Sequence, residues 1–239
     1  MWKLAISIGL AALLAPDAFS GALLSPEDVL KQHGVEINKD SLISALGNPD
    51  ERVVWAAAEK LADNQEKAAI PVMLTMLASS KTASTKVIIG GPLARLGEER
   101  GVRVLRETCR AKDNPQERLN AASYLLSLDH DDCLEDVLEV VSIPGGAWRR
   151  SAVAMLTRFG HLYKKRAEAV FSAVERLLLS EEGQIREEAG QVLWLLRDRR
   201  GVTLLTEAIG REKDEFVRKS LQSALHNLQG DLRRRSEVR

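Results

Sequence analysis

The sequence predicts an all-α fold: a right-handed α-solenoid of stacked antiparallel helix pairs, about five and a half repeats long. Three observations carry this. A phrase made of a polar cap, an apolar anchor, small residues three or four positions on and then Leu returns roughly every 30 residues. The cap Asn48-Pro49-Asp50-Glu51 is echoed by Asn114-Pro115-Gln116-Glu117. No stretch of useful length shows the period-two alternation of a half-buried strand.

The elements follow in chain order. Lys3 precedes an uncharged, mostly apolar run of 11 residues, Leu4 to Leu14, and Pro16 ends it. The run shows no polar face, as a docked surface helix would, and it is shorter than the ~20 residues that cross a bilayer. Small-x-small sites at Ala18-Phe19-Ser20 and Ser20-Gly21-Ala22 complete the pattern of a signal peptide over residues 1–22. The expectation is an exported protein, periplasmic or secreted, with no transmembrane span after cleavage.

Residues 23–47 are expected to form an N-terminal helical cap. Ser25-Pro26-Glu27-Asp28 opens its first short helix, with Ser as cap and Pro in the first turn, where its missing N–H costs nothing. Gly34 ends that helix, and Asp40 leads into a second through Leu42, Ile43 and Leu46.

The repeat array is expected over residues 48–228, anchored at Val53, Val87, Leu119, Trp148, Ile185 and Val217 with gaps of 34, 32, 29, 37 and 32 residues. In each first helix the anchor and the residues four and eight positions on share one stripe. Ala or Gly within it lets a neighbouring helix approach. Basic residues beside the anchors are expected to cover apolar surface with their stems and keep their charge in water. Second helices are read from Ile70, Leu74 and Leu77; Val102, Leu105 and Cys109; Leu134, Val137, Leu138 and Val141; Val170, Val174, Leu177 and Leu178; and Val202, Leu205 and Ile209. The sixth copy has only its first helix, ending near Leu228. Residues 229–239, with Arg233, Arg234 and Arg235, then read as a basic flexible tail.

The repeated phrase resembles HEAT-like repeats of the short type named after phycobilisome lyases, "Asp-x-x-Val-Arg-x-x-Ala-Ala-x-x-Leu-Gly" followed by a Leu-rich helix. Asp50 to Leu61, Ser180 to Leu193 and Asp214 to Leu225 match best, and Leu96-Gly97 matches the ending. Copy two departs with Gly90-Gly91-Pro92, and copy four with Trp148 at its anchor. The resemblance implies a solenoid used for binding and permits a bilin-lyase-like enzyme as an alternative; a structural envelope component is a further alternative for an exported chain.

Composition narrows the partners. The 239 residues carry 34 Lys plus Arg and 34 Asp plus Glu, balanced 15 to 15 in the first 119 residues and 19 to 19 in the rest. A nucleic-acid binder needs a basic excess or stripe, and this chain has neither, so the expected partner is a protein. No cofactor is expected, and no nucleophile elbow or phosphate loop appears. His130-Asp131-Asp132-Cys133 is a consecutive run at a turn, not a set of facing ligands, so no metal site is expected there. Cys109 and Cys133 fall eight residues out of step in the repeat register, about 12 Å along parallel helices. That predicts two unpaired buried thiols. Trp55, Trp148 and Trp194 read as packing residues. The chain is therefore expected to be a non-catalytic interaction scaffold whose second helices line the binding surface. Candidates there are Arg103, Arg106, Glu107 and Arg110, followed by Glu135, Asp136 and Glu139.

Overall fold

The structure, a computed structural model, describes residues 24–143, 148–159 and 167–237. The apolar run Leu4–Leu14 and the small-x-small sites lie outside these residues. The described residues form 13 α-helices and no strand, packed in sequential order as an α-solenoid of armadillo/HEAT type. Cα proximity divides the chain into two compact units, with the boundary after Asp136.

The first unit begins with α1 (Pro26–Gln32) and α2 (Lys39–Ala45). Ser25 Oγ accepts from the Asp28 amide at 3.1 Å, and Asp28 accepts from the Ser25 amide at 3.3 Å, a reciprocal capping box. Asn38 caps α2 through the Ser41 amide at 2.9 Å. α3 (Glu51–Asp63) runs antiparallel to α1: Lys60, near its end, pairs with Glu27, and Asp50, at its start, lies 3.4 Å from His33. A 3-10 turn (Lys67–Ala69) then leads into α4 (Ile70–Ser79). α5 (Ala83–Arg95), α6 (Glu99–Arg110), α7 (Pro115–Ser127) and the start of α8 (Leu134–Val141) complete the unit. The anchors Val53, Val87 and Leu119 are all buried.

The small residues act as the sequence suggests. A Cβ on Gly90 would stand 2.7 Å from Val104 Cγ1, and one on Gly101 would stand 2.5 Å from the Gly90 carbonyl oxygen. These two glycines let α5 and α6 touch backbone to backbone. A Cβ on Gly91 would run into the Tyr124 ring of α7. Copy two therefore has Gly-Gly where Ala-Ala is usual because Val104 crowds the first position and the Tyr124 ring the second.

The second unit contains α9 (Arg149–Arg158), α10 (Ala167–Leu177), α11 (Gly183–Leu196), α12 (Arg200–Arg211) and α13 (Glu215–Glu237). α11 packs against α9, α10, α12 and α13. Ile185 and Val217 are buried anchors, but Trp148 precedes α9 and is only half-buried. In that copy Ala152, Val153, Met155 and Leu156 supply the core. α13 also runs past the expected end at Leu228. Asp231, in the segment read as a tail, accepts from Trp194 Nε1 at 3.2 Å and pairs with Arg197 at 3.0 Å, which holds the extra turns on α11.

Four of the basic residues beside the anchors turn their charge onto backbone carbonyls instead of into water. Arg118 Nε donates to the Cys109 carbonyl, Arg149 Nε to Val141, Arg186 Nη1 to Ser180 and Arg218 Nη2 to Glu212. Each guanidinium covers carbonyls at or just beyond the end of the preceding second helix, groups that otherwise lack partners. Arg118 is 3% exposed. Arg52 matches the expectation: exposed, it holds Asp50, whose carboxyl it brings down to about 2.

Candidate interaction surface

The second helices divide the predicted partner-binding residues into two groups. On α6, Arg103, Glu107 and Arg110 are exposed at successive turns of one stripe. On α8, Glu135 and Glu139 are exposed one turn apart. Arg106 and Asp136 are structural instead. Arg106 Nε donates to Asp132 at 3.0 Å and Nη1 to Glu99 at 3.4 Å. Asp136, with its side chain 14% exposed, accepts from Arg118 at 3.3 Å. The four-residue α6 patch expected from the sequence is thus a three-residue stripe, and Asp136 faces inward.

α4 adds a surface that the sequence reading missed. Its ten residues, Ile-Pro-Val-Met-Leu-Thr-Met-Leu-Ala-Ser, contain no charge, yet only Met73 is fully buried. Ile70, Leu74, Met76 and Leu77 are half-buried against the first core, and Val72 is 38% exposed. The signal was available: a second helix with no polar face either is covered on all sides or offers an apolar one. α4 and α6 both pack on α5.

On the first helices, polar groups hold neighbours together. The Tyr124 hydroxyl donates to Glu59 Oε1 at 2.6 Å, and Arg95 Nη1 donates to Glu59 Oε2 at 2.7 Å. Arg95 also pairs with Asp63. Burial, helped by the charge of Glu59, keeps the Tyr124 proton on well above the ordinary range. Burial also pushes the Glu59 carboxyl up, opposed chiefly by Arg95. In the second unit Arg186 clamps Glu212 through Nε–Oε2 at 2.6 Å and Nη2–Oε1 at 2.9 Å, bringing that carboxyl down to about 2.

The cysteines correct the sequence reading. Cys109 and Cys133 form a disulfide with Cα atoms 6.1 Å apart. A constant repeat register would lay the second helices side by side in step. Instead the last turn of α6 meets the residues that open α8, as Arg106–Asp132 and Cys109–Asp136 also show. The potential metal ligands brought together are Cys109, Cys133 and Asp136, not the run His130–Cys133. His130 stands 3.9 Å from Asp132.

No family model matches the sequence, and no match is found among curated proteins. Among solved structures, the chain is similar to a designed armadillo repeat protein in complex with the peptide (KR)4: TM-score 0.53, 15% identity, covering 78% of this chain and 98% of that one. It is also similar to a computationally designed armadillo repeat protein for modular peptide recognition, with TM-score 0.50, 14% identity and the same coverage. The CpcE–CpcF complex of phycocyanin lyase from Nostoc sp. PCC7120 aligns with TM-score 0.46 and 15% identity, over 87% of this chain and 78% of that one. The likeness is one of fold: repeated helical hairpins of the armadillo/HEAT kind.

Proposed function

We propose that the chain is an exported, non-catalytic scaffold that binds another protein through the outer faces of its second helices. The observation that carries this reading is α4, an uncharged helix left half-covered, with Val72 exposed. An apolar helix face held open on a rigid frame is a form of peptide-binding surface. Arg103 and Arg110 on α6 would orient a partner that carries carboxylates beside its apolar residues. The armadillo designs with this fold include one bound to a peptide. Export draws support from the Cys109–Cys133 disulfide, because thiols stay reduced in the cytosol, and from the apolar run after Lys3.

The test compares the unaltered chain with Val72→Asp and with Arg103→Glu/Arg110→Glu in affinity capture from the extracytoplasmic fraction of the source cell. Variants that keep the native helical spectrum should lose a specifically captured protein at least tenfold. Capture unchanged by both would sink the surface assignment. Recovery of the chain in the cytosol with Met1 intact would sink export.

A further inference from the structure

Cys109 Sγ, Cys133 Sγ and a carboxylate oxygen of Asp136 lie within 4.8 Å of one another. Cys109 Sγ is 4.0 Å from Asp136 Oδ2. Both cysteines are 0% exposed. Cys133 and Asp136 are three residues apart at the opening of α8, so both present their ligand atoms on one side of its first turn.

We infer that, when the disulfide is reduced, these three side chains form a binding site for one thiophilic divalent ion of the zinc class. Reduction by a thiol or phosphine breaks the S–S bond, and two electrons and two protons leave a thiol on each sulfur. The ion then takes both sulfurs as thiolates, and the two protons go to solvent.

Three features support this site. The first is charge. Two thiolates, the Asp136 carboxylate and the Arg118 guanidinium 3.3 Å from it sum to minus two, which one divalent ion neutralises in a place where net charge is costly. The second is donor type. Two sulfurs select zinc-class ions over magnesium or calcium. The third is reach. Zinc–sulfur bonds of about 2.3 Å at a tetrahedral angle set the sulfurs about 3.8 Å apart. Side-chain rotation can supply that opening between Cα atoms 6.1 Å apart. Arg118 also has the place of an outer-shell group: it holds Asp136 and the Cys109 carbonyl together.

The experiment titrates cobalt(II), as a spectroscopic stand-in for zinc, into the full chain reduced with phosphine under anaerobic conditions. One equivalent should produce sulfur-to-cobalt charge transfer in the near ultraviolet, and zinc should abolish it. Cys109→Ser and Cys133→Ser should lose the band, the oxidised chain should never show it, and Asp136→Asn should weaken binding at least tenfold. Circular dichroism follows every sample. If reduction unfolds the chain, return of the helical signal with one equivalent of zinc supports the site, and failure to return overturns it. A folded, reduced chain without the band, or an equal band in Cys109→Ser, also overturns it. The scaffold reading does not depend on this result.

Discussion

Tyr124 and Glu59 stand 65 positions apart in the chain, and the tyrosine hydroxyl reaches the carboxylate across 2.6 Å. The contact ties α7 to α3 across α5, the helix whose Gly91 admits the ring. One hydrogen bond therefore spans three successive repeats. Its geometry depends on a glycine in the repeat between.

Tyr124→Phe removes the donor and leaves Glu59 buried with Arg95 alone, at a cost of about 1–3 kcal/mol. Gly91→Ala forces a methyl into the ring and should cost a similar amount. In the double variant Gly91→Ala/Tyr124→Ala the methyl finds space, so the loss should fall short of the sum of Gly91→Ala and Tyr124→Ala taken singly, which with the parent complete the cycle. Urea unfolding of the four proteins measures the coupling, and strict additivity would show that the ring does not touch α5.

The fold was legible because its code is periodic. Val53, Val87, Leu119, Ile185 and Val217 could be read as buried from spacing alone. What spacing cannot carry is the third dimension between repeats. The guanidinium of Arg118 turns to the Cys109 carbonyl because α6 ends there, a fact about neighbours rather than period. Arg106 and Asp136 looked like surface residues for the same reason: their partners, Asp132 and Arg118, belong to other segments. The disulfide escaped because a constant-register repeat was assumed where the opening of α8 meets the last turn of α6. The exposed stripe Arg103, Glu107 and Arg110 was readable from α6 itself, since one helix determines it.

Glu212 makes stability in the second unit depend on acid. Its folded carboxyl titrates at about 2 because Arg186 donates to it, against a usual value of 4.5. A lowered folded value stabilises the folded state above the unfolded value, and that contribution is lost as pH falls from about 4.5 to about 2. With the side chain 4% exposed, the effect is on the order of 2 kcal/mol. Glu212→Gln should lower the urea midpoint at neutral pH and flatten its dependence on pH over that window. A variant with the same acid limb as the parent would show that Glu212 is not the group responsible.

The disulfide joins positions 24 apart and encloses the whole of α7. Loop-closure entropy for a span of this size corresponds to about 3 kcal/mol. The folded chain should therefore take up no alkylating reagent before reduction and two equivalents after unfolding with reductant. Cys109→Ser/Cys133→Ser should unfold at lower urea than the oxidised parent, and reductant should lower the parent's midpoint while leaving the variant's unchanged. Two alkylated thiols in the untreated, unfolded chain would contradict the bond.

Asp231 decides whether the last turns of α13 belong to the folded body. It accepts from Trp194 Nε1 and pairs with Arg197, a non-glycine residue at the end of α11 held at φ 51° in the left-handed region. Such a backbone persists only where surrounding contacts fix it, and Asp231 supplies two of them. Asp231→Ala, or removal of residues 229–239, should therefore loosen the C-terminal end of α11. The expected loss is about 1–3 kcal/mol, seen as faster hydrogen exchange at Leu193 to Leu196 and a shifted Trp194 indole resonance. Arg235→Ala, at an exposed position on the same helix, should change stability by less than about 0.5 kcal/mol. If truncation leaves exchange in α11 unchanged, residues beyond Leu228 are an appendage and the contact with Trp194 carries no weight. If exchange rises in α11 while α9 and α10 stay protected, α13 is the C-terminal cap of the second unit along its length to Asp231.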